Sequence, residues 1–81
     1  MTETVVTYQQ PEGSIEATIE YLGNEEFDFY FKISRVKNGD YSNPEVEECM
    51  AMTDGENVVA FEGLPSMAER KAIYAILSGI I

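Results

Sequence analysis

The segment Ser42-Asn43-Pro44-Glu45-Val46-Glu47-Glu48-Cys49-Met50-Ala51-Met52-Thr53-Asp54-Gly55 admits two periodicities, and the architecture turns on which one holds. Wound at about 3.6 residues per turn, Val46, Cys49, Met50 and Thr53 fall at i, i+3, i+4 and i+7 on one helical face. Asn43 then suits the N-cap and Pro44 the first helical position. Glu45, Glu47 and Glu48 in the first turn answer the helix dipole. This is the preferred reading, a short helix over 44–53. At period two, the same residues make a strand that reverses at the hairpin dipeptide Asp54-Gly55. In that alternative Cys49, Ala51, Val58 and Ala60 face away from Met50, Val59 and Phe61. Val58-Val59-Ala60-Phe61 is a strand in both readings, and its unbroken apolar character predicts a place inside the sheet instead of at its edge.

Toward the N-terminus the pattern is one of strands. Thr4 to Gln9 is rich in β-branched and aromatic residues. Gln10-Pro11-Glu12-Gly13 fits a type I turn, with proline at the second position and glycine at the fourth. From Ser14, Ile15, Ala17, Ile19 and Tyr21 alternate with Glu16, Thr18 and Glu20. Gly23-Asn24-Glu25-Glu26 supplies the next reversal. Phe27, Phe29, Phe31 and Ile33 then alternate with Asp28, Tyr30, Lys32 and Ser34. Period two means one buried and one wet face for each strand. For both apolar rows to face inward, paired positions must sum to an even number. One such register sets Ile19 against Phe29 and Glu16 against Lys32, but opposes Glu20 to Asp28; a neighbouring register avoids that like-charge pair. The second strand ends near Lys37, where Asn38-Gly39 favours positive φ.

Toward the C-terminus lies the clearest helix. Ser66-Met67-Ala68-Glu69 is a capping box preceded by Pro65. Ala72, Ile73, Ile76, Leu77 and Ile80 gather on one stripe, with Arg70, Lys71, Tyr74 and Ser78 opposite. Glu69 falls within the stripe's sector, where its cap role accounts for it. The predicted order is βββαβα. That is an α+β fold with a four-stranded, mostly antiparallel sheet and one or two helices packed on one face. The alternative is a five-stranded β-meander with a C-terminal helix. The core is predicted from the Phe27/Phe29/Phe31 and Ile15/Ile19 rows meeting Ile73, Ile76, Leu77 and Ile80. An 81-residue chain has room for a single compact domain over 1–81, and no repeat, low-complexity tract or linker divides it.

Composition narrows the function. Charged residues are 25% and apolar residues 44%, which is ordinary globular usage and argues against disorder. Fifteen acids face five bases with no histidine, a formal charge of −10. Direct nucleic-acid binding rests on Lys and Arg neutralising phosphates, so that class is disfavoured, as is docking to an anionic membrane. Residues 1–31 hold seven acids and no base, and residues 38–63 repeat that count. Lys32, Arg35 and Lys37 form the one basic run between them. The bland account of such charge is a surface that keeps a small protein soluble.

The single cysteine, Cys49, cannot close an intrachain disulfide and suits a small buried hydrophobe. The start, Met1-Thr2-Glu3-Thr4-Val5-Val6, puts an acid where a signal peptide needs a basic region. Ala72 to Ile81 is about half the length that spans a bilayer. A cytoplasmic protein is expected (in the host cell, if phage-encoded). No CxxC, HExxH, phosphate-cradling glycine loop or EF-hand occurs, and without histidine the usual serine triad is impossible. Neither an enzyme nor a bound cofactor or metal is expected; a metal cluster at Glu45, Glu47 and Glu48 is less natural than their role at a helix start.

The expected function is that of a small, non-enzymatic binding protein, an inhibitor or regulator covering the basic surface of a nucleic-acid-handling protein. Carboxylates on a rigid sheet stand in for phosphates and accept charge-assisted bonds from Arg and Lys. The candidate contact residues are Glu16, Glu20, Asp28 and Tyr30 on the open sheet face, with Glu45, Glu47 and Glu48. The physical type is that of small acidic phage inhibitors of restriction, CRISPR or transcription machinery, although no motif ties the chain to a family. The alternative is a structural or assembly subunit, with a homodimer possible, built on Met67, Tyr74 and Ile81 lying off the helix stripe.

Overall fold

In the computed structural model, which describes residues 3–63 and 65–80, five strands run in meander order and a helix follows. They are β1 (Glu3–Gln10), β2 (Gly13–Glu25), β3 (Asp28–Lys37), β4 (Glu45–Thr53), β5 (Val58–Glu62) and α1 (Met67–Ser78). Each strand pairs antiparallel with its sequence neighbour, giving the sheet order β1-β2-β3-β4-β5. The fold is α+β, the five-stranded meander with a C-terminal helix and not the four-stranded βββαβα arrangement.

The helix predicted over 44–53 is therefore strand β4, and the reason is electrostatic as much as steric. β4 runs antiparallel to the only basic run, so that Lys32 lies opposite Glu48 and Arg35 opposite Glu45. Arg35 Nη1 reaches Glu47 at 2.7 Å and Lys37 reaches Glu45 at 3.6 Å. As a strand, β4 also turns the small residues Cys49 and Ala51 inward, at 4% and 0% exposure, beneath the helix. Asn43 and Pro44 belong to the β3–β4 connection and cap nothing. Glu47 and Glu45 answer cross-strand cations instead of a helix dipole, while Glu48 lies opposite Lys32 without closing an ion pair.

Further corrections follow from the register. β2 and β3 pair with Ile19 opposite Ile33 and Glu20 opposite Lys32, which converts the like-charge clash into a 3.4 Å ion pair. The even-sum rule holds from Ile15 to Tyr21, after which a bulge between Tyr21 and Gly23 shifts the pairing by one. That shift leaves Glu26 and Phe27 as the hairpin turn. Phe27 is 57% exposed and contributes its carbonyl oxygen to Thr53 instead of its ring to the core. Val58–Glu62 lies at the sheet edge, so an apolar run does not place a strand inside when the chain simply stops adding strands. On β5, Phe61 pairs with Ala51 and faces the core, while Ala60 pairs with Met52 on the other face.

Helix α1 carries both halves of the capping box: Glu69 N–H donates to Ser66 Oγ, and Ser66 N–H donates to the Glu69 carboxylate. Ala72, Ile73, Ile76 and Leu77 are buried against Ile15, Ala17, Ile19, Phe29, Phe31 and Ile33. Ile80 lies past the helix end and is 42% exposed, so it is not part of that core. The helix backbone approaches β1 and β2, while Phe61 on β5 packs edge-on against Tyr74 at 5.8 Å and under the Arg70 guanidinium at 5.3 Å. The sheet thus curls about α1. Tyr74 and Met67 are exposed, and Ile81 lies outside the described residues.

Gly63 closes this arrangement where the chain leaves β5 for the helix. Its φ is +106°, and a Cβ there would stand 2.9 Å from Cys49 Cβ. Gly63→Ala should cost roughly 1–3 kcal/mol, read as a lower urea midpoint with an unchanged slope. Gly39→Ala, at φ +75° with open space around it, should cost only about 1 kcal/mol. Equal losses at the two positions would contradict the close approach to β4.

Candidate functional site

One sheet face packs on α1; the other carries no helix. Strand alternation places Glu3, Val5 and Thr7 of β1 on this open face, with Glu16, Thr18 and Glu20 of β2 and Asp28, Tyr30, Lys32 and Ser34 of β3. Val46, Glu48, Met50 and Met52 of β4 and Ala60 and Glu62 of β5 complete it. With Glu25, which lies opposite Asp28 beyond the bulge, seven carboxylates therefore share a surface with one ammonium, Lys32, which is already paired with Glu20. Glu16 accepts the Tyr41 hydroxyl at 3.0 Å, so the β3–β4 connection leans over this side. Tyr30 donates to Glu25 at 3.3 Å, and Tyr30 ionisation is pushed up by burial and then by Glu25, Asp28 and Glu62. Apolar surface interrupts the charge at Val5 and Val46, which are 55% and 60% exposed.

Beneath the helix, a polar cluster is built with equal care. Glu69 is 0% exposed and receives Arg35 Nε and Nη2, both at 2.8 Å, the Tyr8 hydroxyl at 2.8 Å and Ser66 N–H at 2.7 Å. Burial alone would raise its pKa, but the Arg35 bonds, the Ser66 N–H and the Tyr8 hydroxyl together hold it below the ordinary glutamate value. The same bonds to Glu69 and Glu47 outweigh desolvation at Arg35 and raise its pKa. Burial pushes the Cys49 thiol up to about 11, which suits a packed side chain and not a thiolate nucleophile.

Five of the seven sequence-predicted contact residues thus meet on the open face: Glu16, Glu20, Asp28, Tyr30 and Glu48. Glu47 points the other way, to Arg35, and Glu45 sits at the same rim with Lys37. The trio 45, 47 and 48 is divided between faces. Among the described residues no group of three or more Cys, Asp or Glu is placed to hold a metal ion, and no helix is long and apolar enough to cross a membrane. Comparison with family models, curated proteins and solved structures finds no match to this chain.

Sequence reasoning misses Arg35 as the partner of Glu69, and also misses Met50 and Glu62 as members of the open face. The signal for Arg35 is its parity: it continues the inward row of Phe29, Phe31 and Ile33, and a buried guanidinium there demands a buried carboxylate.

Removing one partner should be far worse than removing both. Arg35→Met leaves Glu69 buried without its guanidinium and should cost roughly 3–5 kcal/mol, while Arg35→Met with Glu69→Leu should recover part of that loss in a urea-melt cycle. The pH dependence has two limbs. Glu69 has a depressed folded pKa, so its contribution is complete above the ordinary 4.5 and is lost as pH falls through the folded value. Tyr8 is raised above 10.0, chiefly by burial, so its contribution is present below 10.0 and is lost as pH rises through the folded value. In urea melts across pH, the acid-side fall should be shallower in Glu69→Gln than in the parent.

Proposed function

We propose that the protein is a non-enzymatic binding protein whose open sheet face docks on a basic protein surface, of the kind that nucleic-acid-handling proteins present. One observation carries this reading: Glu3, Glu16, Glu20, Asp28, Glu48 and Glu62 share a rigid face with a single, already paired, cation. Neighbouring strands stand about 4.8 Å apart and alternate residues along a strand about 6.6–6.8 Å apart, so the carboxylates form a two-dimensional array and not a flexible tail. Such an array raises the encounter rate with positive surfaces and repels nucleic acid. Tyr30, Met50 and the exposed valines add apolar contact area, and tyrosine is favoured at the energetic centres of interfaces. A partner that normally grips phosphates would meet carboxylates in their place, and the consequence of docking is competitive inhibition of that grip.

The triple variant Glu16→Lys, Glu20→Lys and Asp28→Lys should keep the parent's circular dichroism and lose the partner in affinity capture from cells carrying the gene. Parent capture should weaken steeply with added salt. Retention by the folded triple variant, an acidic captured protein, or a complex indifferent to molar sodium chloride would overturn the proposal.

A further inference from the structure

We propose that the notch where β5 leaves β4 on the open face seats the side chain of an arginine from the partner; this deepens the docking reading above and rests on it. The β4–β5 ladder ends at the pair Met50 and Glu62, and at Gly63 the chain turns away toward the helix. A groove of about 310 Å³ remains, lined by Tyr30, Glu48, Cys49, Met50, Glu62 and Gly63.

Its chemistry is two-part. Tyr30, Met50 and Glu62 form one cross-strand row over β3, β4 and β5, so an aromatic ring and a thioether lie side by side with a carboxylate at the end. Glu48 is the diagonal neighbour of Glu62, and such neighbours stand about 7–8 Å apart. Among the described residues neither Glu48 nor Glu62 accepts a hydrogen bond or meets a cation, unlike Glu16, Glu20, Glu45 and Glu69. An apolar floor with two unpaired carboxylates at its rim matches a side chain that is aliphatic along its stem and cationic at its tip. Arginine fits better than lysine. Its planar guanidinium stacks on the face of a tyrosine and presents donors on several edges, so both carboxylates can be bonded at once. The Tyr30 hydroxyl is tethered to Glu25, which holds the ring in place for that stacking.

The test is a titration of the isotope-labelled protein with a blocked Gly-Arg-Gly peptide, followed by amide NMR shifts. Shifts centred on Met50, Glu62 and Gly63 are expected, with at least about tenfold weaker binding for the citrulline peptide, which keeps the shape and loses the charge. Glu62→Gln with Glu48→Gln should remove the response while leaving the remaining spectrum in place. Equal response to citrulline, equal response to a lysine peptide, or shifts centred on Glu16 and Tyr41 would overturn the arginine seat. A captured basic partner that binds this Gln double variant as tightly as the parent would overturn the seat and leave the docking reading standing. An arginine-specific response at the groove, with no salt-sensitive partner captured, would overturn the docking reading and leave the seat.

Discussion

A carboxylate with no exposed surface needs every one of its lone pairs answered, and Glu69 receives four donors from three parts of the chain. Ser66 fixes it to the start of α1, Tyr8 to β1, and Arg35 to the centre of the sheet. Hydrophobic burial presses the helix onto the sheet but is indifferent to small rotations and slides. The two-toothed contact with Arg35 is not, because both bonds fail together if the helix shifts by a fraction of a turn. Arg35 in turn holds Glu47, so the position of α1 and the pairing of β3 with β4 are set by one guanidinium.

This arrangement explains the uneven distribution of charge along the chain. Of the five basic residues, Lys32, Arg35 and Lys37 all lie on β3 and all meet acids on neighbouring elements. Very little positive charge is left to neutralise the remaining carboxylates. The acidity of the open face is therefore partly a by-product of how the core is assembled: the cations are consumed in holding strands and helix in register.

Much of this fold is legible in the sequence, and the illegible parts have identifiable causes. β2 and β3 read clearly because Ile15, Ala17, Ile19 and Phe29, Phe31, Ile33 keep strict alternation, and α1 reads clearly because Ser66 and Glu69 bracket its first turn. β4 does not, because Val46, Cys49, Met50 and Thr53 satisfy a helical period while Glu47, Cys49, Ala51 and Thr53 satisfy a strand. Local propensity leaves that tie unbroken; it is broken by the ion pairs of Arg35 with Glu47 and Lys37 with Glu45 and by Lys32 lying opposite Glu48, a nonlocal signal. Phe27 misleads for a similar reason, since the pairing shifts by one after Tyr21 and the reversal expected over 23–26 falls at Glu26 and Phe27, which puts the ring outside. For the open face, parity on β2 and β3 finds Glu16, Glu20, Asp28 and Tyr30. Met50 and Glu62 join them only once β4 is known to be a strand.

The Tyr8–Glu69 bond links residues 61 positions apart, whereas the strands pair only with their immediate neighbours. During synthesis the hairpins can form one after another as they leave the ribosome, yet their inward faces stay wet until the last element arrives. Seating α1 on the sheet is therefore the step that closes the widest loop of the fold, and its entropic cost falls on the contact that joins Tyr8 to Glu69.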